Sequence, residues 1–181
     1  MEAGQIQTRD ILSGAIISPT SGKWLQLITD SIITNMMQVK FKKLDRNAAA
    51  PTRATASSAG FDLTALKVEI DVFDKGNILY TVHTGIAVEI PEGYFGLLCA
   101  RSSVCKTGLI LSNGCGVIDS DYRGEVMGKF YLHSNNGGNA YEAGERCVQL
   151  LILPLPSVEM VEAASLSDTA RGVGGYGSSG R

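Results

Sequence analysis

The 181-residue sequence lacks the marks of several common protein classes. Charge of one sign is not in excess: 16 Lys and Arg stand against 18 Asp and Glu, and the net charge is −2. No overall basic field would therefore draw the chain to nucleic acid, although local arginines could still hold a small anion. The four cysteines, Cys99, Cys105, Cys115 and Cys147, form no C-x-x-C pair, and the two histidines, His83 and His133, have no ligand-like spacing from them. That argues against a zinc site, and three of the cysteines lie in apolar runs and read as small core residues. Long hydrophobic runs are missing too, since nothing approaches the ~18 apolar residues of a membrane span. No basic segment followed by an apolar one opens the chain, and only Arg9 and Lys23 are basic in its first 35 residues. The expectation is an intracellular, reducing location with neither membrane nor nucleic acid as partner.

What is present is glycine, 21 residues of it, and short apolar alternations. "VKFKKL" sets Val39 and Phe41 against Lys40 and Lys42, and "VEIDVF" sets Val68, Ile70 and Val72 against Glu69 and Asp71, the period of strands. Further strands are expected at 78–83, 85–90, 94–99, 107–111, 125–132 and 146–153. Turn signals at Asp74–Asn77, Pro91–Gly93 and Asn135–Gly138 separate them. Short strands at this spacing predict an all-β sandwich or barrel of one domain, with one short helix in "SSVCKT" after Arg101. Residues 1–37 read as an extension outside the 38–170 domain. Leu25, Ile28, Ile32 and Met36 form a helical stripe there, and Met36 and Met37 are both candidate start residues. The glycine-rich arm 171–181 lacks apolar residues for a packed element and is expected to be mobile when empty.

One bend carries more chemistry than a turn needs. "GCGVIDSDYRGEV" (114–126) brings Asp119, Asp121, Tyr122 and Arg123 together between glycines. Taken alone it could be a hairpin turn with solvated acids. It is, however, one of five segments in order: "AGFDLTA" (59–65), "ARSSVCKTGL" (100–109), "GVIDSDYRGEV" (116–126), "GERCVQLLILP" (144–154) and "ARGVGGYGSSG" (170–180). In these motifs the chain, over roughly 38–181, resembles the homotrimeric dUTP diphosphatase (dUTPase) family.

The resemblance implies a distorted jelly-roll β subunit, a homotrimer with active sites between subunits, and Mg²⁺-dependent hydrolysis of dUTP to dUMP and pyrophosphate. It implies that Asp119 is the catalytic carboxylate that orients and deprotonates a water for attack on the α-phosphorus. Tyr122 would lie against the deoxyribose and leave no room for a 2′-hydroxyl. Asn113 and the backbone of Gly116, Val117 and Ile118 would read uracil. Ser102, with Arg101 and Ser103 beside it, would face the phosphate chain, and Gln149 would reach the same phosphates. Arg101 has a second reading, pairing with nearby acids to organise the site. Asp62 would help hold Mg²⁺ through water, because that ion keeps several waters and favours phosphate oxygens. From the arm, Arg171 would grip the γ-phosphate and Tyr176 would stack on the base.

The motifs depart from the family pattern at three places. Ala100 and Ser103 stand where proline and a glycine are usual, and Tyr176 where phenylalanine is usual. Ser103 would crowd the phosphate path, while Tyr176 keeps a stacking face. A related deaminase of dCTP lacks the Asp-Tyr pair in its bend, so "IDSDYRG" favours dUTP hydrolysis. A silent dUTPase-like binding protein is disfavoured by the intact Asp119.

Overall fold

The computed structural model describes residues 37–73, 77–133 and 140–175. The helix expected over the N-terminal stripe and the ring of Tyr176 lie outside these residues. Among the described residues ten strands follow one another: β1 Lys40–Lys43, β2 Phe61–Thr64, β3 Lys67–Phe73, β4 Asn77–His83, β5 Ile86–Glu89, β6 Tyr94–Ala100, β7 Leu109–Leu111, β8 Gly116–Ile118, β9 Met127–Leu132 and β10 Arg146–Pro154. A 3-10 helix over Ser102–Lys106 occupies the place expected of a short helix. The sheets are β2-β10-β6-β8 and β3-β4-β9-β7, with β1-β5 as a separate ribbon, and all pairings are antiparallel. The architecture is all-β, as the strand spacing predicted, and jelly-roll-like, as the family resemblance implied.

Alternation explains why these segments pair as they do. On β10, Cys147, Val148 and Leu150 are buried, and on β9 Gly128 and Phe130 are. The inward set Leu63, Val82, Ile86, Leu98, Val126, Phe130, Val148 and Leu150 forms one core. A one-residue slip of any of these strands would turn its apolar set outward, so burial fixes the register.

Both alternating runs form strands, and each is only partly buried. Val39 and Val68 pack against the core, whereas Phe41 is 47% exposed and Ile70 and Val72 are 59% and 68% exposed. Two strands were not anticipated, β2 inside the first motif and β8 inside the bend. Both are short, three or four residues, and too brief to show a period.

Candidate active site

The sheet β2-β10-β6-β8 carries most of the expected site residues, in two groups. At one end, β8 pairs only with β6, so it is an edge strand of that sheet. The turn leading into it is closed by Gly114 N–H donating to Leu111 O at 3.0 Å and Cys115 N–H to Asn113 O at 2.7 Å. Gly114 has φ +68°, a conformation that suits glycine. This hairpin and the bend after it line a cleft of about 330 Å³ with Asn113, Gly116, Val117, Ile118, Asp119 and Tyr122. All six residues expected to read base and sugar, or to activate water, therefore meet in one cleft.

The bend is braced locally. Tyr122 N–H donates to Asp119 O at 3.2 Å, and Arg123 Nη1 donates to Ser120 O at 2.6 Å and to Tyr122 O at 2.9 Å. Arg123 thus holds the turn, the role an arginine among carbonyls fits best. The Tyr122 ring folds over Gly124, and its hydroxyl donates to Glu125 O at 3.1 Å. A Cβ at Gly124 would fall on that hydroxyl, so any larger residue there would push the ring aside.

The second group gathers where β2, β10 and the end of β6 meet. Asp62 is buried, and its carboxylate receives Arg101 Nε at 2.7 Å, Arg101 Nη2 at 3.3 Å and Arg146 Nη1 at 3.1 Å. A carboxylate this buried needs such donors, and the bidentate fork of Arg101 supplies the geometry. Of the two roles open to Arg101, pairing with an acid is the one seen. Arg146 was not anticipated; its charge within "GERCVQ" was the available signal. Arg101 Nη1 also reaches Ser103 Oγ at 3.4 Å, so the added hydroxyl is tied to the arginine. Ser102 is exposed on the 3-10 helix. Gln149 Nε2 donates to Ala100 O at 3.1 Å, giving the half-buried amide a partner.

Near this group Tyr141 is buried against Phe130, with ring centroids 5.3 Å apart. Its hydroxyl comes near Ser103 without an aligned hydrogen bond, and burial pushes it up to about 12. Burial likewise pushes the Cys147 thiol up to about 12, as expected of a core cysteine.

The two groups do not touch within one chain. Gly116 pairs with Leu98, three residues short of Arg101 and roughly 10 Å along the strand at ~3.3 Å per residue, and Ile118 pairs with Gly96, two residues further away. Arg171 is separate again: its Nε donates to Gly174 O at 3.0 Å, within its own segment. Among the described residues no cluster of three His, Cys, Asp or Glu could cage a metal. No helix among them is long and apolar enough to cross a membrane.

The model of the dUTPase family matches residues 46–180. The chain belongs to the dUTPase family. It is 40% identical over 146 residues to the deoxyuridine 5′-triphosphate nucleotidohydrolase of Nautilia profundicola, covering 80% of this chain and all of that one. It is 39% identical over 147 residues to the enzyme of that description from Yarrowia lipolytica, covering 80% of this chain and 90% of that one. Among solved structures it resembles the dUTPase of Staphylococcus bacteriophage 80alpha with dUPNHPP. There the TM-score is 0.70 at 28% identity, over 81% of this chain and all of that one. This dUTPase is accordingly a hydrolase of nucleotide metabolism, acting on dUTP to give dUMP.

Proposed function

We propose that dUTP is hydrolysed at sites built between three copies of the chain, with Asp119 as the general base. The separation of the base-and-sugar cleft from the Arg101–Asp62–Gln149 group carries this reading. In this reading a triphosphate bound in the cleft of one copy meets the phosphate-facing residues of another. Surface chemistry supports assembly. Ile110 and Tyr131 oppose one another across β7 and β9 and are about half exposed, and Ile70 and Val72 lie exposed at the edge of that sheet. Patches of this kind on a subunit mark interaction surfaces.

In this reading the outer edge of β8 offers the N–H and C=O groups of Gly116 to Ile118 to uracil, beside the Asn113 amide. The Tyr122 ring lies where a 2′-hydroxyl would have to go. Asp119 takes a proton from the water that attacks the α-phosphorus; the P–O bond to the β-phosphate breaks and pyrophosphate leaves. General-base help of this kind is worth ~10²–10⁴-fold in rate. Ser102 and Gln149 donate to the phosphate chain, and Ser103 steadies Arg101. From the arm, Arg171 offers its guanidinium fork to the γ-phosphate and Tyr176 its ring to the base. A division into extension 1–37, body 38–170 and arm 171–181 fits these roles.

The residues present fit Mg²⁺ held mainly by substrate. Three arginine donors occupy most of the lone-pair directions of Asp62 and leave one open on Oδ1, enough for a water that bridges to the ion. When bound, the ion would neutralise developing charge on the phosphate oxygens.

Pyrophosphate release from dUTP, dCTP, dTTP and UTP, each with Mg²⁺ and with chelator, tests this reading. Fast, Mg²⁺-dependent release from dUTP alone is expected. Equal rates on UTP would sink the sugar filter, and undiminished rates in chelator would sink the metal.

A further inference from the structure

The Tyr122 hydroxyl is held by a backbone carbonyl, and the residue owning that carbonyl is held from far away in sequence. Glu125 Oε1 accepts Gly85 N–H at 2.6 Å, and Glu125 Oε2 faces His83 Nδ1 at 2.8 Å. The next residue is clipped to the same corner: Thr84 Oγ1 donates to Val126 O at 2.6 Å, and Val126 N–H donates to Ile86 O at 2.8 Å. Thr84 and Val126 are fully buried, and His83 and Glu125 are mostly so. Gly85 has φ +66°, and a Cβ there would lie 2.8 Å from Ala48 Cβ and Leu66 Cδ2, so the corner tolerates little movement. Because a carboxylate only accepts, His83 Nδ1 carries the proton. His83 Nε2 lies 3.3 Å from Glu69 Oε2 but not aligned for a hydrogen bond.

We propose that His83 and Glu125 are positioning residues for sugar selection, fixing the carbonyl that orients the Tyr122 ring in the nucleotide cleft. Neither need touch the phosphates. The bend after β8 is exposed at Asp119, Asp121 and Tyr122, and its neighbouring bonds are local turns that permit rocking of the ring. The long-range restraint on that ring enters through Glu125. A filter that works by steric exclusion of one hydroxyl fails if the ring swings by a fraction of its width. The proposal rests on the reading that Tyr122 faces the deoxyribose.

The test compares kcat/KM for dUTP and for UTP in four variants of the full chain. His83→Phe keeps ring bulk and removes the Nδ1 donor; His83→Asn replaces the donor at a similar reach. Glu125→Met keeps length and removes both acceptors, and Tyr122→Ala removes the ring. Thermal melting and gel filtration establish that each variant is folded. The dUTP-over-UTP ratio should fall about fivefold or more in His83→Phe and Glu125→Met, and return to within about twofold of the parent in His83→Asn. A ratio that falls in Tyr122→Ala but stays at the parent value in both His83→Phe and Glu125→Met overturns the proposal alone. A ratio unchanged in Tyr122→Ala overturns the reading beneath it. Should His83→Phe fail to fold, Glu125→Met, which lies at the cleft wall, decides the matter by the same ratio.

Discussion

At the scale of single residues, what a side chain can do here is decided by who holds it. Asp62 and Asp119 are both motif aspartates, yet Asp62 is buried under two arginines while Asp119 stands exposed at the cleft rim. Only the second is free to take a proton from water. Asp119→Asn keeps the size of the group and removes the base. Turnover of dUTP should fall ~10²-fold or more with the melting temperature nearly unchanged. A turnover within threefold of the parent would refute the assignment. The cysteines divide in a similar way. Burial holds the Cys147 thiol near 12, whereas Cys105 and Cys115 are exposed. An aromatic disulfide reagent at pH 8 should label Cys105 and Cys115 quickly and Cys147 only in denaturant. Rapid labelling of Cys147 in the native protein would contradict its place in the core.

At the scale of elements, the strands with room for a period were legible and the rest were not. Runs such as 146–153 announced themselves because six apolar residues in eight, just after a glycine turn, suit a buried strand. The three-residue β8 could not, and its status as a strand depends on β6 lying beside it. Nor did alternation tell how deeply β3 is buried: Val68 packs against the core, while Ile70 and Val72 on the same side lie at the surface. The cleft residues were found because five motifs in order resemble a known family. Arg146, His83 and Glu125 were missed, because their partners are 84 and 42 residues away and no local pattern joins them. The arm is the element with the most to test. The hydrogen bonds of Thr169, Arg171, Gly172 and Gly174 stay within the segment, while Val158, Met160 and Leu166 before them are 76%, 94% and 88% exposed. Removing residues 171–181 should nearly abolish hydrolysis and leave the oligomer intact, as gel filtration and a pyrophosphate assay would show. Normal activity in the shortened protein would exclude a closing role.

At the scale of the whole molecule, the question is which copies furnish one site. A symmetric ring repeats the same contact around its axis, so each site can draw its base from one subunit and its arm from another. Two inactive chains then become informative together. One carries Asp119→Asn with an intact arm; the other keeps Asp119 and lacks 171–181. Unfolded, mixed in equal amounts and refolded, they should form trimers in which about a quarter of the sites combine a native Asp119 with a native arm, if the two come from different copies chosen at random. Activity should return to roughly that fraction of the parent. If base and arm belonged to the same copy, no mixture could restore a complete site, and the refolded sample would stay as inactive as its components. Recovery would also show that the arm crosses to a neighbour.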